Sequence, residues 1–226
     1  MVTTISPLQG LALGPIGEQR VCFRGLTWDA YQQIFQALPP RRGARLTYDR
    51  GTLEITMPLE SHEFSLRLIE VFIRCLVFEL GLKLKTMGST TLNRQDLDRS
   101  SEPDCAYYIQ NQPKVAGRRV DLATDPPPDL IVEVDITSTD IDKNCLYAAL
   151  GVPELWRYNG RELSIYRLEN GLYQNCDRSP TFPWVEKQCL YDFLAEAEQD
   201  EIEAEQNLRE FVQQSLHREH PTFANL

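Results

Sequence analysis

Asp104, Glu133 and Asp135 are acids set in runs that otherwise read as buried strand, PDCAYYIQN over 103–111 and PPPDLIVEVDITST over 126–139. Side chains alternate between the faces of a strand. Leu130, Val132, Val134 and Ile136 therefore share one face, and Asp129, Ile131, Glu133 and Asp135 share the other. The first face is built for a core; the second ends in a pair of acids that project the same way. On the other run Asp104, Ala106 and Tyr108 share a face, and Pro103 stands at the strand's start, where a proline fits. If the two runs pair, one register brings Asp104 beside Glu133. Neighbouring carboxylates repel unless something positive lies between them. Hard divalent cations take oxygen ligands, often only one or two carboxylates plus water. The expectation is a Mg²⁺ or Mn²⁺ site on Asp104 and Glu133, with the Val134 carbonyl as a further ligand and Asp135 joining at the mouth.

Plainer readings stand beside this one. Pro-Asp is a common turn dipeptide, so Asp104 could only cap a turn. Glu133 is costly to bury alone and could pair with Arg67 or Arg74. Asp135 could be ordinary polarity at a strand end.

The elements that must position these residues follow from periodicity and punctuation. Residues 1–20 read as a leader with Gly and Pro breaks. LTWDAYQQIFQAL (26–38) has helical spacing with Thr27 as cap, and PPRRG breaks it. ARLTYDRGTLEITMP (44–58) predicts a hairpin around Asp49-Arg50-Gly51. Ser61 caps a long helix to about Leu80, apolar over most of its circumference and so buried. Its polar exceptions, Glu63, Arg67, Glu70 and Arg74, form one stripe, which a salt-bridge ladder explains. Gly81 ends it. A strand with a following turn is expected within 82–92, strands at 103–111 and 129–136, a short helix from Asp140 to Leu150 closing at Gly151, and strands in ELWRYN, ELSIYRLE and GLYQNC with turns at Asn159-Gly160 and Asn170-Gly171. From Glu186 to about Arg218 the chain is helical and acidic. This order predicts a mixed α/β (α+β) domain around one central sheet, with boundaries at 1–20 for the leader, 21–185 for the domain and 186–226 for a helical extension packed on it.

The net charge of −10 is uneven: −7 falls on residues 186–226 and only −3 on the rest. Neither part has the basic signature of a nucleic-acid binder, although a local basic groove can hide in an average. The six cysteines show no CxxC pair and no clustered His, against a zinc site and for reduced, mostly buried thiols in a cytoplasmic protein. No basic-then-apolar signal opens the chain. The most apolar segment, 64–80, carries Arg67, Glu70, Arg74 and Glu79, too many charges for a membrane span.

The phrases EPDCAYYI, DLIVEVDITST and KNCLYAALGVPELWRY resemble the Uma-type restriction endonucleases, formerly a domain of unknown function, within the PD-(D/E)XK nuclease superfamily. The resemblance runs from about Leu26 to about Leu216. It implies a restriction-endonuclease-like core, a mixed sheet flanked by helices with an extra hairpin and a C-terminal helix, and a metal-dependent endonuclease hydrolysing phosphodiester bonds, with DNA as substrate. Asp104 matches the Asp of PD and Glu133 the acid of the third motif. Asp135 stands where the standard motif has Lys, a departure; Lys143, from the following helix, matches the family's replacement. Glu63 or His62 matches the acidic first motif less securely, and His62 also reads as a surface residue at a helix start. Lys143 would orient the nucleophile or stabilise charge on the phosphorus, Glu63 would hold a metal-bound water or a second ion, and Tyr147, one turn beyond Lys143, would help position it. Lys143 could equally be a surface lysine. Cleavage of two strands suits a homodimer. The alternative function is a catalytically inactive nuclease fold serving as a binding or assembly module. Net acidity and the Asp135 departure favour that alternative; the clustered carboxylates favour the enzyme.

Overall fold

The computed structural model describes residues 19–39, 42–57, 60–136 and 139–219. The expected 1–20 leader lies outside these, apart from its last two residues, which begin a strand.

The strands make two sheets where the sequence suggested one. The first has five, in the order β1 (Gln19–Arg24), β3 (Thr52–Met57), β2 (Arg45–Asp49), β6 (Arg99–Ser101) and β5 (Leu92–Arg94), all antiparallel. The expected hairpin is its centre. Arg50 and Gly51 both have positive φ, 43° and 90°, the two-residue turn that matches strand twist and that glycine favours at its second position. The second sheet has six, in the order β11 (Leu172–Cys176), β10 (Leu163–Glu169), β9 (Glu154–Tyr158), β8 (Leu130–Val134), β7 (Cys105–Tyr108) and β4 (Lys85–Thr86). It is mixed: β8 and β9 run parallel and every other pairing is antiparallel. The strand and following turn expected within 82–92 are the short β4 and a turn at 88–89, after which β5 begins in the other sheet. Strand β6 was not foreseen, because a three-residue RSS run has no apolar signature.

The helices cover the sheets. Helix α1 (Trp28–Ala37) is capped by Thr27, whose Oγ1 accepts from Ala30 N at 3.2 Å, and packs Tyr31 on Tyr48 with ring centroids 4.8 Å apart. Helix α2 (Glu60–Glu79) starts one residue ahead of Ser61, the expected cap. It buries Leu68, Ile69, Phe72, Ile73 and Leu76 against the β8 face carrying Leu130, Val132 and Val134. Phe78, expected in that apolar surface, faces out and lies beneath the Arg209 guanidinium, 4.5 Å from its ring centroid. The short α3 (Gln112–Val115) follows β7. Helix α4 (Lys143–Ala149) lies on the opposite face, where Leu146 and Tyr147 meet Ala106, Ile131 and Leu155. Both faces of β8 are therefore buried, where the sequence suggested a core on one only.

The acidic tail is two helices, α5 (Lys187–Ala197) and α6 (Glu201–Glu219). Asp200 breaks the run: its Oδ1 accepts from Ile202 N at 2.9 Å and Glu203 N at 3.1 Å, an N-cap for α6. Leu190, Phe193, Ala204, Leu208 and Val212 pack on α2 in the main core. Burial of this kind stabilises by about 2 kcal/mol per large apolar side chain. All six cysteines are free, but only Cys75 and Cys105 are buried, fewer than expected. No helix among the described residues is long and apolar enough to cross a membrane.

Candidate active site at the seam between the sheets

Between the end of β6 at Ser101 and the start of β7 at Cys105 the chain passes from one sheet to the other. Glu102 N still donates to Leu46 O of β2 at 3.1 Å, while Cys105 already pairs with Val132 of β8. Asp104 sits at this crossing, and continuing the β7–β8 register by one residue sets it opposite Glu133. Its carboxylate is held from three elements. Oδ2 accepts from the Val134 backbone N–H at 2.6 Å and from His62 Nε2, in the first turns of α2, at 3.0 Å. Oδ1 accepts from the Arg45 guanidinium of β2, which also donates to Glu63 Oε1 at 2.9 Å.

Glu133 and Asp135 project from β8 toward α4. The side chain of Asp142 caps that helix by accepting from Cys145 N at 3.0 Å, which places Lys143 at its first position. A cation there meets the positive end of the helix dipole, so its retention depends on nearby acids. Lys143 Nζ donates to Glu133 Oε2 at 2.8 Å and also to Asp135 Oδ1. One turn on, the Tyr147 hydroxyl donates to Glu133 Oε1 and lies 2.8 Å from Ser101 Oγ of β6. Arg157, opposite Glu133 in the parallel β8–β9 register, donates through Nε to Asp135 Oδ2 at 2.9 Å and through a terminal nitrogen to Asn144 Oδ1 at 3.0 Å.

The charges are unequally compensated. Burial works to raise the Asp104 carboxyl, but the His62 hydrogen bond and the Lys143 and Arg45 charges outweigh it and hold the group down. Asp135 is likewise pushed up by burial and pulled below its ordinary range by Lys143 and Arg157. Glu133, 3% exposed, has only a share of Lys143 and a neutral phenol, so burial prevails and pushes its carboxyl up to about 7, with Lys143 opposing and Asp104 and Asp135 adding. Burial would discharge Lys143, yet Glu133, Asp135 and Asp104 keep its ammonium above the ordinary range.

Of the sequence candidates, Glu133, Asp135, Lys143 and Tyr147 share one hydrogen-bonded network; Asp104 accepts from the neighbouring Val134 N–H, feels the Lys143 charge, and anchors an adjoining network with Arg45. His62, read as a surface residue, is buried, 2% exposed, and belongs to it. Glu63 reaches it through Arg45 at 2.9 Å and lies 3.7 Å from His62 Nδ1, and it also pairs with Arg67 at 3.5 Å on the helix ladder. The pairing considered for Glu133 with Arg67 or Arg74 is replaced by Lys143. Asp129, on the same strand face, is a structural acceptor: its Oδ2 takes Ile109 N at 2.7 Å and Asn111 N at 2.9 Å. Three participants were missed: Arg45, Ser101 and Arg157. Only Arg157 had a signal, as the one cation inside the apolar ELWRY run.

The donor set suits a hard divalent ion in part. Among the described residues no group of three or more His, Cys, Asp or Glu is arranged to hold a metal. Asp135 spends its oxygens on two cations, Lys143 and Arg157; Asp104 and Glu133 also have a partner on each oxygen, but Glu133 has a single cation among its partners in the described residues. Two carboxylates on residues that the register sets side by side on adjacent strands, one poorly compensated, are oxygen donors of the kind that Mg²⁺ or Mn²⁺ takes when water fills its other positions. Two clefts open beside the network. One, of about 440 Å³, is lined by Arg42, Ala44, Arg45, Glu63, Ser89 and Glu102; the other, of about 340 Å³, includes Asp135, Thr139, Arg157 and Tyr166.

Comparison with known proteins adds the following. The sequence model of a family described as "Uma2: Putative restriction endonuclease" matches residues 29–193. A solved structure of a "putative nuclease belonging to DUF820" from Anabaena variabilis ATCC 29413 superposes with a TM-score of 0.52 at 16% identity, covering 74% of this chain and 98% of that one. No curated protein matches.

Proposed function

The chain belongs to the Uma2 family of restriction-endonuclease-like nucleases, and on that premise we propose that it is a Mg²⁺- or Mn²⁺-dependent endonuclease that hydrolyses phosphodiester bonds of DNA at the Asp104–Glu133 seam. The observation that carries this reading is the buried Lys143 ammonium shared by Glu133 and Asp135, on the strand whose register sets Glu133 beside Asp104. A lysine beside two acids is the third element of PD-(D/E)XK chemistry, here delivered from α4 because Asp135 occupies its usual strand position.

A divalent ion at such a site supplies Lewis acidity toward a phosphodiester oxygen and a more acidic water. Asp104 and Glu133 would hold it. Tyr147 fixes one Glu133 oxygen and so aims the other. Asp135 and Arg157 set the position of the Lys143 ammonium, which orients the attacking oxygen and stabilises the charge that develops on the phosphoryl group. Glu63, 36% exposed at its side chain, would hold a water at the mouth. Six free thiols suit a cytoplasmic protein, and a two-fold dimer would present two such sites to the two strands of a duplex.

Calorimetric titration of Mn²⁺ into the parent, Asp104→Asn and Glu133→Gln tests the site. Saturable heat in the parent and its loss in both variants is expected; no heat, or equal heat in all three, removes it. Nicking of supercoiled plasmid by the parent, absent in Lys143→Met, then tests the activity.

One observation favours a second reading. Both Asp104 oxygens are already engaged, by Arg45, His62 and the Val134 N–H, as they would be in a catalytically silent copy of the fold that serves as a binding or assembly module. A folded parent that gives no Mn²⁺ heat and no nicking under any ion would select it.

A further inference from the structure

Arg45 is the cation closest to the ligand position expected of Asp104, yet it comes from the other sheet and belongs to no motif. Its guanidinium bridges Asp104 Oδ1 and Glu63 Oε1, at 2.9 Å to the latter, with its side chain 15% exposed. It also lines the 440 Å³ cleft beside Arg42, a volume in the range that holds a small ligand. Arg42 is held differently: its terminal nitrogen donates to Glu102 Oε1 at 2.5 Å, and its Nε is buried with no hydrogen-bond partner among the described residues. Two guanidiniums thus border one open cleft, and one of them neutralises a carboxylate that the metal would need.

A cation already seated on Asp104 competes with any dication there, because both draw on the same lone pairs and the same charge. Once a dication takes over that role, the Arg45 guanidinium loses its main partner and is repelled by the new charge. The adjoining cleft is open to it, and a planar fork of N–H donors matches a phosphate in geometry and charge. We propose that Arg45 is an exchangeable counter-ion: it holds Asp104 in the metal-free protein and, when the ion loads, swings into the Arg42 cleft to grip a backbone phosphate of the nucleic acid next to the cleavage point. The pair makes metal and substrate binding mutually reinforcing, since the ion frees the arginine that the substrate uses. Arg45 is on this view a positioning residue that binds a non-reacting phosphate. The inference rests on the metal reading above.

Mn²⁺ titration without nucleic acid provides the first measurement. Arg45→Met should bind Mn²⁺ about tenfold tighter than the parent, because a charge-assisted competitor has been removed. Arg45→Lys, which keeps the charge, should stay near the parent. Affinity in Arg45→Met equal to or below the parent's overturns the exchange. Absence of Mn²⁺ binding in the parent instead defeats the metal site itself, a distinguishable failure that takes this inference with it. A second measurement needs no destabilising variant: the parent's Arg45 guanidinium NMR resonances, assigned by their loss in Arg45→Lys, should shift on saturation with Mg²⁺, and resonances that stay in place overturn the proposal. A third uses a 20-base-pair duplex in Ca²⁺ across a KCl series. Arg45→Met should lower the salt dependence of binding by about one phosphate contact; an unchanged slope denies Arg45 its phosphate.

Discussion

Lys143 Nζ lies 2.8 Å from Glu133 Oε2 while also donating to Asp135, so one buried ammonium serves two acids that stand two residues apart on the same strand. The arrangement is lopsided. Asp135 has a second cation in Arg157, and Glu133 has none among the described residues. The site's behaviour toward protons and metal follows from that imbalance.

Glu133 should set the pH dependence of metal binding. Its carboxyl is pushed up from 4.5 to about 7, chiefly by burial. Between those values the folded protein holds a proton that the unfolded chain releases, so stability falls as pH rises through this window. A dication must displace the same proton. Mn²⁺ affinity is expected to rise about tenfold per pH unit up to about pH 7 and then level off. Calorimetry from about pH 5.5 to 8 checks this; a flat parent profile contradicts it.

Lys143→Met should damage stability as well as activity. It leaves Glu133 and Asp135 facing each other with only Arg157 in reach, and loss of one member of a buried ion pair costs about 3 kcal/mol. Urea denaturation should show that loss, and Mn²⁺ should restore part of it by replacing the missing positive charge. A variant as stable as the parent would mean that Lys143 is solvated in solution.

Tyr147→Phe removes the donor to Glu133 Oε1 and the neighbour of Ser101 Oγ, 2.8 Å away. Leaving buried acceptors unsatisfied should cost about 2 kcal/mol. Because Glu133 loses a hydrogen bond to its charged form, the pH at which Mn²⁺ binding levels off should move upward. An unmoved profile with the stability loss intact would confine Tyr147 to a structural role.

Asp129→Ala is the contrasting case. Asp129 shares a strand face with Glu133, but it closes the turn after β7 through Ile109 N and Asn111 N. Its loss should lower stability by about 2 kcal/mol and leave Mn²⁺ affinity unchanged. Calorimetry that showed weakened Mn²⁺ binding would place it in the site.

Local rules made much of this protein legible. Alternation along 129–136 put Glu133 and Asp135 on one side, helical spacing put Tyr147 one turn beyond Lys143, and the Arg50-Gly51 and Asn170-Gly171 turns fell where residues able to take positive φ occur. These features depend on neighbours within a few residues, where chain geometry alone fixes direction. The mixed α/β class follows from the same order of elements.

The tertiary structure decided what depends on distant contacts. That the hairpin belongs to a second sheet rests on the pairing of β2 with a three-residue β6 that carries no apolar pattern. That His62 is buried, and that Asp104 receives Arg45, rests on the chain crossing between sheets at 102–104, which brings the start of α2 and the edge of β2 to one carboxylate. Sequence determined which acids share a strand face, because that geometry is covalent and local; only the packing of sheet on sheet and helix on strand decided which cation each acid meets, because residues as far apart as 45 and 104 come together through the fold alone.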